Sequence, residues 1–200
     1  MSASTKERMV AGAADLLSRR GVHATTLRDV VRHTGTPRGS LGHHFPGGKQ
    51  QMLEEALCHA ANSVAAPLEA LTHGKGAVGG LHAFVGWWRR ILEKSGFDAG
   101  CPVLAVAVEP TDGIEAEAPQ RLRRLAHEAF ERWQAILAAA LHREGISPGR
   151  ARRLSTLAVA SIEGTVAMCR VARSSQPLDE VARELEAVLE AAIADSQNKK

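Results

Sequence analysis

The sequence predicts an all-α protein of about nine helices, and three observations carry that prediction. Apolar residues recur at three- and four-residue spacing through most of the 200 residues. No run of alternating β-branched residues appears, and no pair of such runs brackets a tight hairpin turn. Helix punctuation (Thr or Ser caps, Pro at first positions, Gly terminators) falls between the periodic segments.

The elements follow in order. Val10, Ala13, Ala14, Leu16 and Leu17 make one apolar stripe, ended by Gly21. A short helix starts at Thr26, whose cap is completed by Asp29, and closes at Gly35. Thr36 then caps a third helix with Pro37 at its first position, running to Phe45 before Pro46-Gly47-Gly48. A long helix begins near Lys49, with Pro67 as a possible kink, and another begins near Gly74-Lys75-Gly76. The apolar run Cys101–Val108 fits a buried strand or a buried helix by pattern, and its helical surroundings favour helix. Thr111 to Pro119 reads as a polar loop. Three helices complete the chain: Gln120 to Glu144, one opened by Ser147-Pro148, and one opened by Pro177 with Asp179 and Glu180 in its first turn.

Composition narrows the function. A chain of this length with 44% hydrophobic residues buries a core without disulfide or metal support. Its apolar stretches are interrupted too often for a membrane span, and Met1 to Arg8 lacks the apolar run of a secretory signal, so a cytoplasmic location is expected. Cys58, Cys101 and Cys169 are odd in number and far apart, which fits reduced thiols. The nine histidines lack metal-ligand spacing, and no catalytic partner can be placed beside Cys101. Neither metal, cofactor nor enzyme activity is expected. Charge is unevenly divided: residues 1–50 hold eight bases and three acids, a net of +5, while the remainder carries −2. One end is suited to a polyanion.

The pair of short helices between Thr26 and Phe45 is the decisive feature. Two helices joined by a tight Gly-containing turn make a helix-turn-helix, whose second member enters a DNA major groove. Its exposed side would be Thr36, Arg38, Ser40, His43 and His44, with Leu41 and Phe45 turned inward. Gly39 suits a backbone that must come very close to something, such as a phosphate strand.

These residues carry a resemblance. Thr25-Thr26-Leu27-Arg28-Asp29-Val30-Val31, Gly35 to Leu41, and His43-His44-Phe45-Pro46 with Lys49 resemble the tetracycline-repressor (TetR) family of regulators. Gly39 to Lys49 together with Gly100-Cys101-Pro102-Val103 further resembles its LmrA/YxaF-like branch. The resemblance implies a DNA-binding head at 1–48, a ligand-binding and dimerisation body at 49–196, and a flexible tail at 197–200. It implies that Thr26 binds a phosphate, that Arg38, Gly39 and Ser40 enter the groove with Arg38 reading guanine edges, that His43 and His44 contact phosphates or bases, that Thr36 and Pro37 belong to the same DNA-binding surface, and that Lys49 clamps the DNA backbone. Gly42 departs from the family, which usually has an aromatic there. The last two helices would pair with their copies in a homodimer through Leu157, Ser161, Thr165, Leu178, Val181, Leu185, Val188 and Leu189.

Between the ends, six of the seven aromatics lie between residues 84 and 133. Phe84, Trp87, Trp88, Phe97, Phe130 and Trp133 are either ordinary core or the walls of a small-molecule site, with Cys101 and Cys169 beside them and His82 or Glu163 as polar contacts. The expectation is a repressor released from a palindromic operator by an aromatic or hydrophobic effector. A helical enzyme using Cys101 and an architectural DNA-binding protein without a ligand are the alternatives.

Overall fold

Helix α1 (Thr5–Arg20) opens with a capping box. The Ser4 hydroxyl accepts from the Glu7 amide at 3.2 Å, and the Glu7 carboxylate accepts from the Ser4 amide at 2.8 Å. The computed structural model describes residues 3–109 and 117–198, and eight α-helices are present among them, with no strand. They are α1, α2 (Leu27–Thr34), α3 (Leu41–His44), α4 (Gly48–Lys94), α5 (Pro102–Val108), α6 (Glu117–Arg143), α7 (Pro148–Ala172) and α8 (Gln176–Gln197). A short 3-10 turn, Arg38–Ser40, precedes α3. Helix α4 breaks at Gly76 (φ 70°), so nine α-helical segments lie among the described residues, close to the number the sequence predicts. The break falls at Gly76, and Pro67 is carried inside the helix.

Cys101–Val108 is a helix. The Cys101 sulfur accepts from the Leu104 amide at 3.4 Å and so caps α5. The expected loop at Thr111–Pro119 lies outside the described residues up to 116, and α6 already begins at Glu117. Of the expected tail, Gln197 ends α8, and Lys199-Lys200 lies outside the described residues.

The chain divides into two compact units, Met1–Asn62 with Cys101–Ala129, and Ser63–Gly100 with Phe130–Lys200. In the first, Met9, Ala13, Leu17, Val30, Phe45, Met52, Leu53, Leu57, Val103, Val106 and Leu122 are buried. Helices α1 and α2 approach closely at Gly12, where a Cβ would overlap the Thr34 side chain. In the second unit, Phe84, Trp88 and Trp133 form the centre. The Phe84 ring lies 6.4 Å from each tryptophan, and Trp87 and Phe130 extend the cluster edge-on at 4.8 and 5.5 Å. Helices α7 and α8 pack against each other here.

By length and composition alone α7 reaches the minimum for a bilayer span, as a core helix also can. Its inward side nonetheless carries Ser155, Glu163 and Thr165, all buried. Such polar groups suit the core of a folded unit better than lipid.

Candidate nucleic-acid interface

Helix α2 is aimed by its cap. Thr26 is exposed, its hydroxyl accepts from the Asp29 amide at 3.2 Å, and it donates to the Asp29 carboxylate at 2.5 Å. That hydrogen bond, with the Arg32 guanidinium 2.5 Å away, holds the Asp29 carboxyl below the usual range. The Thr26 hydroxyl is therefore already committed. An anion arriving here would meet the first amides of α2, Leu27 and Arg28, which a helix leaves without internal acceptors.

The expected third helix is shorter than its pattern suggested. Pro37 is itself the cap (φ −65°, ψ 130°), Arg38–Ser40 is a 3-10 turn, and a single α turn follows from Leu41. Thr36 corrects the expectation twice. It caps nothing, and it is only 5% exposed, with its hydroxyl 2.8 Å from that of Thr34. A buried threonine fixes the turn between α2 and the reading element and presents nothing to a partner.

The remaining residues form one outward surface. Pro37, Arg38, Gly39, Gly42 and His43 are exposed, Ser40, Leu41 and His44 are half-buried, and Phe45 is buried as expected. The Ser40 hydroxyl donates to the Pro37 carbonyl at 2.6 Å, which tightens the 3-10 turn. His43 and His44 stack edge to face with centroids 5.1 Å apart. The Arg38 side chain makes no hydrogen bond or ion pair among the described residues, and it is exposed, so its guanidinium donors are open to solvent.

The two glycines are informative. A Cβ built on Gly39 or Gly42 meets no atom within 4 Å, and neither residue has a positive φ. The protein's own packing and backbone need glycine at neither position, although each costs about 1 kcal/mol of helix propensity relative to alanine.

Lys49 is less free than expected. It is half-buried, and its Nζ donates to the His23 carbonyl at 3.3 Å. Burial holds its pKa below the usual lysine range, against the opposing pull of Glu109.

A second surface lies on α7 and α8. Leu157, Ala160, Gly164, Ala167 and Val171 follow one another at three- or four-residue spacing, with Met168 beside Ala167, and all are exposed. Leu157 of this stripe and, beside it, Ser161, Val181 and Val188 line an open groove of about 500 Å³, with the buried Leu185 at its floor. Of the residues expected to pair, Thr165, Leu178, Leu185 and Leu189 are instead 5% exposed or less. Each helix carries two adjacent apolar stripes, and these four belong to the inward one. The expected set holds the outward residues Leu157, Ser161, Val181 and Val188, and the α7 part of the exposed stripe continues through Ala160, Gly164, Ala167, Met168 and Val171, which sequence reasoning missed. Its signal was the run of small residues Ala160, Gly164 and Ala167, which a core has no need of at that regular spacing.

The aromatic residues lie together in the second unit, with Trp87, Phe97 and Phe130 half-buried at its margin and Cys169 buried. Cys101 belongs to the first unit. His82 is exposed and pairs with Glu186 at 3.0 Å, so it does not enter the aromatic cluster. The indole N–H of Trp88 is buried without an acceptor among the described residues.

Residues 9–56 match the profile of the bacterial regulatory proteins of the tetR family, and residues 77–184 match the C-terminal domain of LmrA/YxaF-like transcriptional regulators. The chain belongs to the TetR family. An uncharacterised HTH-type transcriptional regulator of Mycobacterium tuberculosis is 40% identical over 190 residues, covering 95% of this chain and 96% of that one. The HTH-type transcriptional regulator LmrA of Bacillus subtilis is 30% identical over 87% of this chain and 90% of its own. A TetR transcriptional regulator structure from Legionella pneumophila shares the fold, with a TM-score of 0.78 at 19% identity, covering 94% of this chain and 98% of that one. This TetR-family chain is therefore a helix-turn-helix transcriptional regulator of the LmrA/YxaF-like branch, and its family is one of regulators rather than enzymes.

Proposed function

We propose that this TetR-family regulator is a repressor: a homodimer that occupies a palindromic operator in the cytoplasm and releases it when a small aromatic or hydrophobic molecule binds its body. The observation that carries this reading is the outward surface from Pro37 to His44. It presents an unpartnered arginine, two histidines and two glycines that nothing inside the protein requires. Close approach of an external backbone accounts for the glycines, and a duplex carrying phosphates accounts for the +5 charge of residues 1–50. Residues 1–48 form the head in this reading, and 49–196 form the body.

Pairing through the exposed α7 stripe presents two heads with two-fold symmetry, which an inverted-repeat operator matches. Occupancy alone blocks transcription, so no further surface is required of the protein. The effector site is the aromatic cluster around Phe84, Trp88 and Trp133. A buried donor without an acceptor costs stability, and an oxygen of a bound molecule would satisfy the Trp88 N–H.

Selection of bound duplexes from a random pool tests the reading. It should return inverted repeats, and a panel of planar aromatic compounds should contain one that releases them. Recovery of sequences without symmetry would contradict it. Gly42 offers a smaller, separate check. Gly42→Tyr places an aromatic in open space on the reading surface and removes a helix-weakening glycine. It should tighten operator binding by ~1 kcal/mol, read in a fluorescence anisotropy titration.

A further inference from the structure

We infer that Glu109 is a positioning residue for the DNA-contacting surface: its carboxylate closes the turn from which α2 is aimed. The inference rests on the proposed reading of Thr26 and Arg38 to His44 as facing DNA. Gly21 ends α1 with φ 78°, and the amides of Val22 and His23 follow it in succession. Successive amides after a positive-φ residue form a concavity that attracts an anion. The anion present is the Glu109 side chain, from the residue that ends α5. Its two oxygens accept from Val22 at 2.5 Å and from His23 at 2.8 Å. The side chain is only 18% exposed, and a Cβ on Gly21 would overlap one of its oxygens, so the space is shaped to the carboxylate.

The turn is held from the other side as well. Lys49 of α4 donates to the His23 carbonyl, and the His23 ring nitrogen lies 3.8 Å from Glu109. Helices α1, α4 and α5 therefore meet on one five-residue turn, and Thr26, the cap of α2, is the residue that follows it. The second unit contains a simpler version. There Gly76 has φ 70°, and the Glu144 carboxylate accepts a single amide among the described residues, that of Ala77 at 2.7 Å. That carboxylate starts one helix segment. Glu109 engages two amides beside a lysine, and it lies within the residues matched by the C-terminal profile while the turn lies within the N-terminal match. A displacement of α5 would thus be delivered directly to the start of α2.

The full-length protein tests this in two ways. In Glu109→Gly, hydrogen exchange at the Val22 and His23 amides should accelerate at least about tenfold. Binding to a duplex recovered by selection with the wild-type protein should weaken about tenfold. Acetate should restore part of both, because a free carboxylate refills the concavity, whereas chloride at equal ionic strength should not. Glu109→Gln keeps the volume and one acceptor, and it should fall between the two should the glycine variant fold poorly. Unchanged amide exchange in both variants would overturn the inference. So would wild-type duplex affinity in both, or a loss that acetate leaves untouched, since that would assign Glu109 to general stability. If the wild-type protein itself recovers no duplex, the DNA reading fails, and the exchange at Val22 and His23 then decides whether the carboxylate holds the turn.

Discussion

Arg38→Ala lowers operator affinity by roughly 1–3 kcal/mol and relaxes preference at particular base pairs. Arg38 is exposed, sits on a 3-10 turn, and has no partner among the described residues, so the substitution removes nothing from the folded protein. Thermal stability should change by less than about 0.5 kcal/mol. Arg38→Lys separates two ways in which an arginine can act. A lysine retains the charge but loses the planar two-pronged donor set that fits a guanine edge. If Arg38 reads a base, the lysine variant binds all sequences with similar, weaker affinity. If it only neutralises a phosphate, the lysine variant behaves like the wild type. Anisotropy titrations on the selected duplex and on single-base variants distinguish these outcomes.

Gly164→Glu should have a larger effect, and it should reach DNA binding without touching the head. Gly164 sits at the middle of the exposed α7 stripe, and a Cβ there meets nothing within 4 Å. The protomer gains helix propensity of about 1 kcal/mol by the change. Pairing through this stripe would have to bury two like charges, at a cost of several kcal/mol. Analytical ultracentrifugation should show single chains at concentrations where the wild type is paired. Operator binding should fall at least about a hundredfold, because the two half-sites are no longer held by one particle. Gly164→Ala, which adds one methyl, should leave the pair intact. A glutamate variant that sediments as the wild type does would place the pairing surface elsewhere.

Much of the fold was legible in the sequence because its signals are local. Gly21, Thr26 with Asp29, Gly35 and Pro148 each act within one helical turn, and the structure puts helix ends at or beside them. The failures share a cause. Thr36 looked like a cap because it precedes a proline, but burial against Thr34 decides its role, and burial is not a property of neighbours in sequence. Thr165, Leu178, Leu185 and Leu189 share a periodicity with the exposed stripe, and only the packed helices show which side turns inward. The position of Lys49 at the start of a helix likewise gives no hint of its partner, a carbonyl 26 residues earlier. Glu109 carries no local signal, since it acts on amides 86 and 87 residues away.

The account depends most on two copies of the Arg38 to His44 element reading one duplex, and a hydroxyl-radical footprint on a selected operator measures that directly. It should show two equal protections related by a two-fold axis, on one face of the DNA, separated by about one helical turn or a multiple of it. Arg38→Ala should weaken both protections equally, and Gly164→Glu should abolish both. A single unsymmetric protection, or a footprint indifferent to Arg38, would contradict the account.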